Sequence, residues 1–255
     1  MPRLEDVRAL VTEGTSGLGT AVVRRLAEEG ASVAFAGRDP ERGAELTRST
    51  GATFLTTDSN DEDGVRRVVA EATGALGGLG ALICCAGPAF DAPLSETSLD
   101  DWRRLLDDNL TAPYLFSLAC LPLFRDAGGG SIVHVASDVG VWGNARLGAY
   151  STSNAALITL AQMLAVEAGP HGITVNALCP SAPGREMAAT GSGGDARGSD
   201  PEGRLVPPVG HLATPEEIAG VVAFLLSPDA RFVNGAALLV DGGMRAGYRA
   251  WSVQP

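Results

Sequence analysis

Lysine is absent from this 255-residue chain: all 19 basic residues are arginine. Any role that requires a lysine ammonium therefore has no candidate in it. Positive charge is scarce overall, and 30 acidic residues bring the formal net charge to −11. Nucleic-acid binding needs clustered cations to replace the counterions around phosphate, so this balance argues against it. Four cysteines occur, Cys84, Cys85, Cys120 and Cys179, at neither metal-ligand nor disulfide-framework spacing, and no metal site is expected. They read as small buried hydrophobes in a reducing cytosol. Three histidines, His134, His171 and His211, have no partner at useful spacing. No apolar run reaches membrane-spanning length, and the opening "MPRLEDVRALVTEG" carries charge where a signal peptide needs an apolar stretch. A cytoplasmic protein with no membrane partner is the expectation.

What is present is apolar material in short, regular pieces. Hydrophobic residues make up 45% of the chain, enough for a sizeable core. Buried-strand patterns occur at "VRALVT" (7–12), "ASVAFAG" (31–37), "ATFLTTD" (52–58), "GALICCAG" (80–87), "GSIVHVAS" (130–137), "ITVNALCP" (173–180) and "AALLVDGG" (236–243). Helical patterns fill the gaps, with Gly30 closing the first, Asp39 and Pro40 opening the second, and Thr214 and Pro215 opening the last. The segment 99–124 reads as one long helix. Such alternation implies right-handed crossovers and a parallel sheet covered on both faces. The expectation is α/β: a single doubly wound Rossmann-type domain over 1–255, with about seven strands. Residues 181–212, rich in Gly, Pro and Ser, read as a substrate loop, and 244–255 as a C-terminal tail.

The turn after the first strand, "TEGTSGLG", carries Gly14, Gly17 and Gly19. Glycines there allow a tight turn and close backbone approach to a pyrophosphate resting on the next helix's N-terminus. After the second strand stands Arg38 rather than an acid, suited to a ribose 2′-phosphate more than to a free 2′-hydroxyl. Asp58 follows the third strand, where an adenine amino group would be read.

With these pieces placed, the chain resembles the short-chain dehydrogenase/reductase family in its classical form, from residue 7 to about 243. The resemblance rests on "TEGTSGLG", Asp58, "CCAG" (84–87), "NLTAPYLF" (109–116), "GGSIVHVAS" (129–137), "AYSTSNAALITL" (149–160), "GITVNALCP" (172–180) and "FVNGAALLVDGG" (232–243). It implies a nicotinamide nucleotide, NADP in view of Arg38, held by Thr12, Gly14, Gly17, Leu18, Gly19, Arg38, Asp58, Ala86, Gly87 and Pro180. It also implies a small-molecule substrate and a homodimer or homotetramer. The family's catalytic residues map to Asn109, Ser137 and Tyr150, with Asn154 in the place of the lysine. In that family the tyrosine is the acid/base, the serine orients the substrate oxygen, the lysine lowers the tyrosine pKa and holds the ribose, and the asparagine supports a water relay.

The chain departs from the family pattern at several points. Glu13 replaces the first turn glycine, Cys85-Ala86-Gly87 the usual Asn-Ala-Gly, and Ser181 the glycine after Pro180; Arg185 falls where a threonine touches the carboxamide. Three readings follow. The first is an NADP(H)-dependent oxidoreductase with altered efficiency. The second is a non-redox lyase, cyclase, epimerase or dehalogenase-like enzyme using Ser137 and Tyr150. The third is a catalytically silent partner subunit.

Overall fold

The computed structural model describes residues 3–57, 61–85, 87–181 and 207–246. Asp58, Ala86, Arg185, most of the 181–212 segment and residues 247–255 lie outside them.

Seven strands form one sheet in the order β3-β2-β1-β4-β5-β6-β7. They are β1 (Arg8–Val11), β2 (Ser32–Gly37), β3 (Thr53–Thr56), β4 (Ala81–Cys84), β5 (Gly130–Val135), β6 (Ile173–Pro180) and β7 (Ala237–Val240). Every pairing is parallel. A parallel sheet needs cover on both faces, and the helices divide accordingly. On one face, α1 (Gly17–Glu28), α2 (Pro40–Thr50) and α7 (Pro215–Leu226) enclose Val11, Phe35, Ile83, Val133 and Leu178. On the other, α3 (Glu62–Leu76), α5 (Ala112–Asp126) and α6 (Gly148–Ala168) enclose Leu10, Leu82, Ile132 and Ala177. Alternate residues of each strand thus serve opposite layers, as a side-chain period of two requires. Both layers consist mostly of Val, Leu, Ile and Ala, which explains why the strands read as continuous apolar runs.

The helix starts follow the capping residues. Asp39 accepts from the backbone N–H groups of Glu41 and Arg42, and Thr214 and Glu217 form a reciprocal capping box. The first helix closes one residue earlier than expected: Glu29 is its C-cap, and Gly30 follows at φ 93°. The segment expected as one long helix is interrupted. α4 (Leu99–Leu106) runs into a π turn at Asp107–Thr111 before α5 begins, and the Ala112 N–H reaches back five residues to the Asp107 carbonyl. Pro113 supplies a cause, since it has no N–H to give to the carbonyl of Asn109 four residues earlier.

The last strand is tied in by two carboxamides. Asn176 donates to the Val233 carbonyl at 2.8 Å and accepts from the Ala236 N–H at 3.0 Å. Asn234 accepts from the Val175 N–H at 2.8 Å and donates to the Ala165 carbonyl at 3.0 Å. Asn176 is fully buried, so its loss strands two main-chain groups away from water. Asn176→Ala is expected to lower unfolding stability by about 2–3 kcal/mol, measured by urea denaturation with an unchanged m-value.

Candidate active site

In a doubly wound sheet the ligand crevice opens at the C-terminal strand ends where the strand order reverses. Here the reversal lies between β1 and β4. Their tips are joined by a buried contact: the Thr12 hydroxyl accepts from the Cys85 N–H at 3.2 Å. The glycine turn runs from this point into α1. Ser16 caps that helix by accepting from the Gly19 N–H at 3.1 Å, which leaves the amides of Gly17 and Leu18 at the helix mouth. A Cβ at Gly19 would stand 2.1 Å from the Glu13 carbonyl oxygen, so only glycine fits beneath the turn. These residues fit the phosphates of a dinucleotide: free amides, the positive end of a helix dipole, and backbone bare enough for close approach.

Glu13 is the exception within that turn. It adopts φ 51°, a left-handed conformation disfavoured by its Cβ and ordinarily taken by glycine. Burial raises its carboxyl pKa, the Arg38 guanidinium opposes that shift at 3.9 Å, and Asp108 reinforces it. Arg38 itself is largely exposed, and its contact with Glu13 is long. An exposed pair of this kind contributes little, so Arg38 is free to turn toward another anion.

The second half of the site lies past β5 and β4. Ser137 follows β5 and is buried, and Tyr150 lies half-buried in the first turn of α6. The Ser137 hydroxyl lies near the Tyr150 phenol. Burial raises the Tyr150 pKa above its ordinary value, and Asp138 raises it further; hydrogen bonds with Ser137 and Asn154 act in the opposite direction. Asn154 is 2% exposed and donates to the Tyr150 carbonyl at 2.9 Å. Asn109, held in the π turn, donates to Ser153 at 3.1 Å and to the Pro88 carbonyl at 3.4 Å. Its Oδ1 is buried without a partner, and a Cβ on Gly87 would lie 2.1 Å from it. Pro180 ends β6, and after it the buried Ser181 hydroxyl also lacks a partner. Cys85, Gly87, Asn109, Pro113, Val135, Asn154 and Leu157 line a narrow cleft with no room for a water molecule. Unpaired Asn109 and Ser181 oxygens beside the strand tips are what a polar ligand such as a nicotinamide riboside would satisfy.

The structure therefore brings Thr12, Gly14, Gly17, Leu18, Gly19, Gly87, Asn109, Ser137, Tyr150, Asn154 and Pro180 to one edge of the sheet, with Arg38 on its rim. All four cysteines are buried, and burial pushes the Cys85 and Cys179 thiols up to about 12, so neither is a nucleophile at neutral pH. His134 is buried on β5 against the Ser117 hydroxyl at 3.2 Å, and burial lowers it to about 4, so it is neutral and structural.

Sequence reasoning passed over Asp138, Trp142, Asp241 and Arg245. Asp138 is 3% exposed and accepts from the Ser137 hydroxyl at 3.3 Å. Asp241, in the turn after β7, is nearly as buried and accepts from the N–H groups of Gly243 and Arg245. The Arg245 guanidinium stacks over Trp142 at 4.5 Å from the ring centre. The one signal on offer was an acid directly after the serine in "VASDVG".

Glu13 yields a signed prediction. Its folded pKa is raised, so its ionisation disfavours the folded state: the relative stability present below the unfolded pKa is lost as pH rises through the folded value. Glu13→Gln is thus expected to unfold at a higher temperature than the parent at pH 8, with the gap closing as the pH drops below the ordinary carboxylate range. Removing the charge is also expected to tighten binding of phosphate-bearing nucleotides, measured by fluorescence titration.

A family model described as enoyl-(acyl carrier protein) reductase matches residues 13–245. A cis-4-hydroxycyclohexanecarboxylate dehydrogenase of Sinomonas cyclohexanicum is 38% identical over 245 residues, covering 93% of this chain and 96% of that protein. A 2,5-dichloro-2,5-cyclohexadiene-1,4-diol dehydrogenase of Sphingobium indicum is 36% identical over 250 residues, covering 96% of this chain and all of the relative. The crystal structure of a dehydrogenase/reductase from Sinorhizobium meliloti superposes with a TM-score of 0.85 at 33% identity, covering 94% of this chain and 96% of that one. Ser137 and Tyr150 meeting at the strand tips and likeness along nearly the whole length lead to one conclusion: the chain belongs to the short-chain dehydrogenase/reductase family of enzymes.

Proposed function

We propose that this protein is an NADP(H)-dependent oxidoreductase interconverting a secondary alcohol, carried on a ring, and its ketone. The observation that carries the reading is the approach of the Ser137 hydroxyl to the Tyr150 phenol beside the reversal point of the sheet. Two relatives named for ring alcohols support the substrate class. When bound, the nucleotide supplies or accepts the hydride. Gly14, Gly17, Leu18 and Gly19 are the residues that would hold its phosphates, with Arg38 at a 2′-phosphate and Asn109, Asn154 and Ser181 at the nicotinamide riboside. Ser137 orients the substrate oxygen, and Tyr150 gives it a proton during reduction or takes one during oxidation.

The missing cation bears on direction. A phenol with an ordinary pKa of about 10, raised further here, is protonated at neutral pH. It is ready as an acid and poor as a base. Carbonyl reduction is therefore the direction less harmed by Asn154. The same substitution favours a second reading, in which Ser137 and Tyr150 serve a non-redox reaction on an activated substrate.

Among the described residues no helix is long and apolar enough to cross a membrane. We also propose a homodimer or homotetramer, because Tyr114 and Leu118 on α5 and Met163 and Val166 on α6 leave apolar side chains exposed. Light scattering that returned a monomer at micromolar concentration would oppose it.

The test uses NADPH with cyclohexanone as the probe ketone. Tyr150→Phe is expected to remove at least about 100-fold of kcat/KM while nucleotide binding persists. Asn154→Lys is expected to raise reductase activity and extend it at alkaline pH, since a cation one helical turn on lies on the face of Tyr150. Arg38→Asp is expected to weaken NADPH relative to NADH. If Asn154→Lys damages a native reaction without any gain in ketone reduction, the non-redox reading stands in its place.

A further inference from the structure

The feature that the family pattern leaves unexplained is a buried acid beside the proton-transfer pair. Asp138 opens a single 3-10 turn at the tip of β5, and its backbone carbonyl accepts the Val141 N–H at 2.9 Å, which fixes the turn. Its carboxyl accepts from the Ser137 hydroxyl at 3.3 Å, and the Val139 backbone N–H lies near it. Ser137 in turn contacts the Tyr150 phenol. Tyr150, Ser137 and Asp138 thus lie in sequence, with the Ser137 hydroxyl between the phenol and the carboxyl it donates to.

We propose that Asp138 is the inner terminus of a proton relay, exchanging a proton with Tyr150 through the Ser137 hydroxyl in place of the absent lysine. The inference rests on the oxidoreductase reading above. In alcohol oxidation three protons each move one place. The substrate O–H bond breaks and its proton joins the Tyr150 oxygen. The phenol's own proton passes to the Ser137 oxygen, and the serine proton forms an O–H bond on the Asp138 carboxylate. The electron pair leaves the carbinol carbon as hydride, for which the oxidised nicotinamide nucleotide is the acceptor. Ketone reduction runs the same transfers backwards from a protonated Asp138. Neither direction produces a free phenolate, so neither requires an ammonium to stabilise one.

The surroundings suit a carboxyl that changes charge. From its own turn it faces Ser137, the Val139 N–H and Trp142, whose indole N–H lies near the carboxyl without a well-formed hydrogen bond. From α6 it faces Tyr150, from β6 Cys179, and from the turn after β7 Asp241, while Arg245 stacks on Trp142. Burial is the main cause that raises its pKa and Asp241 adds to it, while the three donors hold it down. The balance leaves the carboxyl above its ordinary value, the direction in which a relay terminus takes up a proton more readily. Asp138 acts through Ser137 and is a positioning and relay residue, whereas Tyr150 meets the substrate.

The experiment compares the parent protein, Asp138→Asn and Tyr150→Phe. Cyclohexanol with NADP+ and cyclohexanone with NADPH serve as probes across pH, and infrared titration of the free proteins follows the carboxylic-acid carbonyl band. In the parent, oxidation is expected to fall as pH drops through the Asp138 pKa, and reduction to fall as pH rises through the same value. A protonated-carboxyl band should titrate at that pH. Asp138→Asn keeps an oxygen to accept from Ser137, yet it is expected to lose on the order of 100-fold in kcat/KM in both directions. Its nucleotide affinity should hold, and both the shared inflection and the infrared band should vanish. Parent profiles without a shared inflection, or Asp138→Asn with parental rates, would overturn the relay. The parent profiles decide the matter even if Asp138→Asn fails to fold. Turnover that survives Tyr150→Phe, or none by the parent on either probe, removes the oxidoreductase reading and the relay with it. A band that titrates without turnover separates that failure from a failure of the Asp138 assignment.

Discussion

The adjacency of β1 and β4 is the constraint on which the site depends. Chain order turns back on itself there, so two strand tips and the loops leaving them splay to opposite sides and a crevice opens between them. The Thr12 hydroxyl on the Cys85 N–H fixes how far those tips separate. Gly19 lets the nucleotide turn close down on the Glu13 carbonyl on one side, and Gly87 lets the main chain approach Asn109 on the other. Neither half of the site would have its depth if that pair of strands slipped.

Electrostatically the site inverts what a phenol acid/base ordinarily enjoys. The position one turn beyond Tyr150 holds a neutral carboxamide, the nucleotide turn holds a half-buried carboxyl, and the residue after Ser137 is a buried one. For both carboxyls and for the phenol, burial is the largest influence, and it favours the protonated form because it penalises the anion. An active site of this character suits chemistry in which protons are passed along between neutral groups rather than held off by a fixed cation.

The layered fold was legible because strand-by-strand burial leaves a local imprint: apolar runs such as "SVAFA" and "ITVNALC" end at a glycine or a proline, and helix caps stand where Asp39 and Thr214 stand. Ser137, Tyr150, Asn109 and Asn154 were legible through spacing. The π turn was not, because "DDNLT" carries no mark that separates it from ordinary helix, and its cause lies in Pro113 just beyond. Asp138 was in plain view in the sequence, but its neighbours Asp241 and Cys179 come from distant strands, which the local sequence does not announce. The left-handed backbone of Glu13 was hidden for a related reason: a residue type that disfavours a conformation gives no local warning that the fold imposes it.

The π turn between α4 and α5 has a consequence for how this protein can change. It accommodates one surplus residue, so α4 and α5 are out of phase by roughly the 100° that a residue sweeps in an α-helix. Deleting a single residue there would let the helix heal, and healing would swing Asn109 away from Gly87 and turn the apolar stripe of α4 off the surface it covers. The loop lengths of such a domain are free to drift, whereas this stretch of helix has a residue count that is itself part of the site.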